Sequence, residues 1–225
     1  MIDPKFIHLR VHTAYSLALG AVPVPKLVHK LRETGMPACA ITDHGNLFGG
    51  KAFSKYAADE GIKPILGAEL ALHNDDSDNI ALSKGRELEP DSLVLLVQNE
   101  IGYKSLMKIF KQYYLDNTEK SGIPQMSMQN LRDHNEGLIC LTGGYNGPIG
   151  RLILQNRQEE AQKKLLELQQ IFGDRLYMEI SRVGYDEEQV TEPVFLELAY
   201  KYNIPLVATN GVYFLTPICM KRMMR

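Results

Sequence analysis

The sequence predicts an α/β fold in which short buried strands alternate with helices, and three observations carry that prediction. Seven short apolar or β-branched runs recur along the 225 residues, the stretches between them carry helical periodicity, and the polar residues fit for chemistry fall just after the runs. Strict alternation requires crossover connections and hence parallel pairing, which a doubly wound sheet and a closed β/α barrel both satisfy. Seven units favour the barrel.

The runs are, in order, "KFIHLRVH", "PACAITD", "KPILGAELAL", "DSLVLLVQN", "EGLICLTG", "RLYMEISR" and "IPLVATNGVYF". Between the fifth and sixth runs, Ala161, Leu165, Leu168 and Phe172 repeat at helical spacing. Asn156 and Glu159 have the spacing of a capping box, and Gly173 stands where a helix C-cap belongs. From His73 to Pro90 the chain is polar and acidic at its start, which reads as an exposed excursion between the third and fourth runs. Its "DDSDN" lacks the glycine and terminal glutamate of a calcium loop, so a solvated turn is the expectation.

Composition narrows the function classes. A chain 44% hydrophobic can bury one large core or two small ones. With 25 basic and 27 acidic residues, the net charge of -2 offers no global attraction to nucleic acid, so DNA is expected to be met only indirectly, through partners or a local patch. Cys39, Cys140 and Cys219 are odd in number and widely spaced, a reduced usage that is neither a disulfide framework nor a zinc motif. No apolar run approaches the roughly 20 residues that span a bilayer, and "MIDPKFIH" has no signal-peptide core. The expectation is a cytoplasmic protein with no membrane contact.

In β/α folds the working groups gather at the C-terminal ends of strands. His12 follows the first run, Asp43 and His44 of "ITDHGN" follow the second, and Glu69 lies near the end of the third. Two histidines and a glutamate are a known zinc set with an open position. On spacing alone the same residues also fit an Asx-capped turn and buried polar groups satisfied by backbone. His8, four residues before His12, reads as a structural residue of the first strand.

The words "FIHLRVHTAYSLALGA", "MPACAITDHGNLFG", "GIKPILGAEL", "NEIGYKSLMKI", "EGLICLTGG" and "IPLVATNGVYFLTP" stand in the order seen in the polymerase and histidinol phosphatase (PHP) domain. The chain resembles in particular the version at the N-terminus of the bacterial DNA polymerase III alpha subunit, over residues 5 to 217. That resemblance implies a distorted seven-stranded, TIM-like β/α barrel. It also implies a site of nine ligands for a trinuclear metal cluster, used for phosphoester hydrolysis and in some polymerases for proofreading. Carried over, three ligands fit: His12, His44 and Glu69. Arg10 stands at the first histidine of the opening pair, and a guanidinium has no lone pair for a metal. Leu19, Ser92, Gly144, Gly211 and Tyr213 occupy the other lost positions.

With so few donors left, the expectation is no cofactor, or at most a single weak Zn or Mn ion on His12, His44 and Glu69. Arg10 is expected to replace the lost cation by pairing with Glu69 or Asp43. No catalytic residue is assigned. The resemblance implies a scaffold role, with the remainder of the polymerase alpha subunit and the separate proofreading exonuclease as partners. The alternatives are a metal-dependent phosphoesterase or 3′-5′ exonuclease, and a free-standing histidinol phosphatase.

The last eight residues, "ICMKRMMR", depart from the family, which after "YFLTP" runs on as something like "DMYEAHDAL". Codons for D-M-Y-E-A-H-D-A, read one base out of frame, give I-C-M-K-R-M-M-R. Residues 1–217 are therefore expected to be a PHP domain incomplete at its C-terminal end, and residues 218–225 a frameshift-derived tail. Such a chain would carry no polymerase active site.

Overall fold

The computed structural model describes residues 6–73, 90–115 and 124–215. The acidic excursion and the tail from residue 218 lie outside the described residues. The chain forms two compact units, residues 1–69 with 209–225 and residues 70–208.

In the first unit, helix α1 (Val24–Glu33) buries Val24, Leu27, Val28 and Leu31, the i, i+3, i+4, i+7 stripe of a core-facing helix. A proline in its first turn sits where the missing N–H has no intrahelical partner to lose. Strand β1 (Ala38–His44) leads into helix α2 (Gly50–Asp59), which buries Phe53 and Ala57. Gly61, at φ +69, turns the chain so that Ile62 N–H reaches the Ala57 carbonyl at 2.8 Å. Strand β2 (Lys63–Leu72) then pairs with β1 in parallel, from Ala38 opposite Lys63 to His44 opposite Glu69. Val11, Val22, Cys39, Ile41, Phe53 and the α1 stripe share one apolar core.

The second unit holds the end of β2, strands β3 (Asp91–Val97), β4 (Leu138–Leu141), β5 (Leu176–Ile180) and β6 (Leu206–Ala208), and the remaining helices. These are α3 (Glu100–Leu115), α4 (Met128–Asp133), α5 (Pro148–Leu154), α6 (Gln158–Phe172) and α7 (Asp186–Tyr202). Strands hydrogen-bond in sequence order, β1-β2-β3-β4-β5-β6. The α/β class stands, and the helix bearing Ala161, Leu165, Leu168 and Phe172 buries all four and ends at Gly173, φ +59.

Three expectations are corrected. The first run is not a strand of the sheet: six strands are found among the described residues, and segment 8–13 is extended but makes only isolated bridges. The ladder breaks where Val11 N–H donates to the Thr42 hydroxyl at 3.1 Å rather than to a carbonyl. Pairing is not parallel throughout, because β3 and β4 run antiparallel, with Val97 opposite Leu138. Here Gly102 of α3 lies against Gly137 so closely that a Cβ on Gly102 would stand 1.8 Å from the Gly137 carbonyl oxygen, seating the entry to β4 beside the end of β3. The Asn156–Glu159 capping box does not form. Asn156 takes φ +61, Arg157 holds the N-cap position without a side-chain cap, and it pairs with Glu160 instead.

Candidate functional site

The extended segment 8–13 is held on two sides. Ala40 N–H donates to the His8 carbonyl and Thr42 N–H to the Val11 carbonyl, each at 2.8 Å, while His12 N–H and Val212 N–H bond to the Val212 and Arg10 carbonyls at 2.8 and 3.1 Å. Side chains alternate along an extended chain, so with Val11 committed to the core, Arg10 and His12 share the opposite face. The β1–β2 register sets His44 beside Glu69. All of these residues belong to the first unit.

Arg10 grips Glu69 with a two-pronged fork: Nε donates to Oε2 at 3.0 Å and Nη2 to Oε1 at 2.7 Å. Both residues are buried. His12 Nε2 stands 3.1 Å from Glu69 Oε2, close enough for an ion pair but out of line for a hydrogen bond, and its ring stacks on Tyr213 at 4.4 Å and 6°. Burial by itself would raise the Glu69 carboxyl, but the Arg10 charge, His12 and the Arg10 hydrogen bonds outweigh it and hold Glu69 well below the usual carboxylate range. Burial pushes the His44 imidazole down; Glu69 pulls it back up, and His12 and Arg10 add to the lowering.

Asp43 does not join this fork. It accepts from Thr13 N–H at 2.7 Å, from the Thr13 hydroxyl at 2.8 Å and from the Ser16 hydroxyl at 2.7 Å. The turn after β1 closes below it: Gly45, at φ +68, donates to the Glu69 carbonyl at 2.8 Å. Asn46 Nδ2 donates to the Tyr15 and His44 carbonyls, each at 3.0 Å, and its Oδ1 accepts from Phe48 N–H. "TDHGN" is thus an Asx-type turn as well as part of the pocket wall. His8 lies apart, edge-on to Phe6, with burial lowering its pKa.

The structure sets Arg10, His12 and His44 around Glu69 and gives Asp43 to Thr13 and Ser16 rather than to Arg10. The sequence reading missed Thr13 and Ser16 as the residues that satisfy Asp43, and Tyr213 as the ring over His12. The signal for the first two was the spacing of hydroxyls in "HTAYS" before an aspartate-ended strand. Of the lost family positions, Leu19 is exposed, Gly211 lies against the Tyr213 ring, and Ser92 and Gly144 belong to the second unit.

As placed, both oxygens of Glu69 accept from the Arg10 guanidinium, and Asp43 accepts from the Thr13 and Ser16 hydroxyls and Thr13 N–H. Among the described residues no group of three or more His, Cys, Asp or Glu side chains is arranged to hold an ion.

Comparison with known proteins agrees with the fold. The chain is 38% identical over 215 residues to DNA polymerase III subunit alpha of Caulobacter vibrioides, a match covering 94% of this chain and 18% of that protein. It is 38% identical over 216 residues to the same subunit of Vibrio cholerae, covering 96% and 18%. The chain thus spans about a fifth of the length of the curated relatives it matches, in their N-terminal PHP region. Among solved structures, a metal-dependent phosphoesterase from Bifidobacterium adolescentis superposes with a TM-score of 0.58 at 13% identity, covering 96% of this chain and 90% of that one. A family profile described as PHP domain matches residues 8–183, and the chain belongs to the PHP domain family.

Proposed function

We propose that this chain is the PHP scaffold of a DNA polymerase III alpha subunit, acting in DNA replication in the cytoplasm with a pocket converted from metal binding to a salt bridge. The observation that carries this reading is the Arg10–Glu69 fork, which sets a permanent cation at the mouth of β1 and β2. A divalent ion on His12, His44 and Glu69 would first have to displace that guanidinium. The segment that carries Arg10 and His12 is bridged to Val212 and hydrogen-bonded to β1, which holds both side chains at this pocket. The partners proposed are the rest of the alpha subunit and the proofreading exonuclease subunit, with DNA reached through them. No helix among the described residues is long and apolar enough to cross a membrane.

The test is elemental analysis of the purified protein, with assays for release of phosphate and of 3′ nucleotides under added zinc or manganese. Metal far below one equivalent and activity at background are expected. Near-stoichiometric metal, with activity that disappears in Glu69→Ala, would establish a metal-dependent phosphoesterase or exonuclease instead.

A further inference from the structure

In the first unit, two loops spanning residues 14–20 and 45–49 carry four exposed apolar side chains. Leu17 and Phe48 are 77% and 69% exposed, and Tyr15 and Leu19 are 40% and 49% exposed. Scattered singly such residues are ordinary, but these loops are joined, so together they form a patch. Asn46 Nδ2 holds the Tyr15 carbonyl, and the Tyr15 ring lies against Gly49, where an added Cβ would stand 3.0 Å from Tyr15 Cδ2.

The patch is held in one shape. Ser16 N–H donates to the Thr13 carbonyl at 2.9 Å, and Leu19 and Gly20 N–H donate to the Ser16 carbonyl at 3.0 and 2.8 Å. The Ser16 hydroxyl, which donates to Asp43, also accepts His44 N–H at 3.1 Å. Between the two leucines Ala18 takes φ +65, a left-handed conformation that an alanine rarely adopts and that collects at functional loops.

The charge pattern points to an acidic partner. Loop 14–20 closes where Ala14 N–H meets the Val22 carbonyl at 2.9 Å, directly ahead of α1, and loop 45–49 runs straight into α2. The first turn of a helix favours acids, yet neither helix has one there. Lys26 and Lys51 stand in those turns instead, exposed and without an ion pair among the described residues. Residues 14–30 and 44–58 contain no aspartate, glutamate or arginine.

We propose that this patch docks a segment of a partner polypeptide whose leucine or phenylalanine anchors are flanked by aspartate or glutamate. The anchors bury against Leu17, Leu19 and Phe48, and the carboxylates face the lysines. A second copy of this chain is a poorer occupant, because a two-fold contact sets lysines against lysines. A nucleic-acid strand is also poorer, since leucines give its bases no ring to stack on. The proposal adds a surface to the scaffold reading without resting on it: metal in the Arg10 pocket would sink that reading and leave this one standing.

The test is titration of the isotope-labelled protein with the peptide acetyl-EDLFDLLE-amide, following the Tyr15, Leu17, Leu19 and Phe48 amide resonances. Saturable shifts are expected with a Kd on the order of 0.1–1 mM. The basic counterpart acetyl-KKLFKLLK-amide should bind about tenfold more weakly, the sum of several exposed charge pairs. The peptide acetyl-EDSSDSSE-amide, which lacks the anchors, should give no saturable shift. Leu17→Ser, at an exposed position, should weaken binding about fivefold with the fold unchanged. Lys26→Glu combined with Lys51→Glu should invert the preference between the acidic and basic peptides, and its acids suit the helix dipole, so this variant folds. Unsaturable shifts, equal response to the basic peptide, unchanged affinity in Leu17→Ser or an uninverted preference would overturn the proposal. Tighter binding of decathymidylate, or the same shifts on concentrating the protein alone, would do so too, by assigning the patch to nucleic acid or to a second copy.

Discussion

Among the described residues, each unit holds an arginine forked onto a buried carboxylate, and the settings of the two differ. In the first, Arg10 holds Glu69 at 2.7 and 3.0 Å. In the second, Arg151 of α5 holds Asp91 of β3 at 2.5 and 3.1 Å. The carboxylates are similarly buried, at 6% and 3% exposure. The Arg10 fork has two imidazoles and a tyrosine ring for company. The Arg151 fork lines a cleft of about 430 Å³ that also holds Arg157, Lys163 and Lys164. Asp91 therefore borders an open cleft that holds further cations and the acids Glu160 and Glu167, whereas Glu69 lies among imidazoles and a tyrosine ring.

Removing the arginines should separate the two cases. Arg10→Ala strands a buried carboxylate and should cost about 3–5 kcal/mol. Arg151→Ala opens Asp91 to the cleft and should cost about 1–3 kcal/mol. Urea unfolding of both variants measures the difference, and equal losses would erase the distinction. The pair Arg10→Met with Glu69→Leu should recover to within about 1 kcal/mol of the parent, because an apolar pair needs no neutralisation. The pH dependence has a definite sign. A carboxyl lowered in the folded state contributes stability above its unfolded value of about 4.3, and that contribution is lost as pH falls through the folded value. The acid limb should be shallower in Arg10→Ala, where the cause of the lowering is gone.

Asp43 provides the next smaller effect, since its partners are neutral donors rather than a cation. Thr13→Val and Ser16→Ala should each cost about 1–2 kcal/mol, and the double variant should depart from additivity because both hydroxyls serve one carboxylate. A Ser16→Ala protein as stable as the parent would mean that water replaces the hydroxyl at no cost.

What could be read in the sequence follows from how local its cause is. The helix carrying Leu165 and Leu168 was legible because burial repeats every turn, and the clustering of His12, His44 and Glu69 was legible because strand ends converge in β/α folds. The antiparallel β3–β4 pair was not: beside it Gly102 and Gly137, two glycines 35 positions apart, come into contact, and no periodicity announces their approach. Segment 8–13 has a strand's composition, but a threonine hydroxyl on β1 takes the N–H that a carbonyl would take in a ladder. Arg10 was recognisable as a misfit for metal chemistry from residue type alone. That it pairs with Glu69, while Thr13 and Ser16 hold Asp43, is a matter of three-dimensional placement that spacing does not rank.

The smallest effect belongs to His44, the half-buried member of the Arg10 pocket. Burial lowers its pKa while Glu69 opposes the change, so folding favours the neutral imidazole and the unfolded chain binds more protons. Its contribution is present above the unfolded value of about 6.5 and is lost as pH falls from there through the lower folded value. Urea midpoints at pH 7.5 and 5.5 should show a shallow decline that His44→Gln flattens, well separated from the Glu69 step below about pH 4.3. In Arg10→Ala the push from the guanidinium disappears and Glu69 is left to hold the imidazolium, so the His44 step should shrink or change sign. If the decline between those two pH values persists unchanged in His44→Gln, another group carries it, and the electrostatic coupling of His44 to the Arg10 fork is absent.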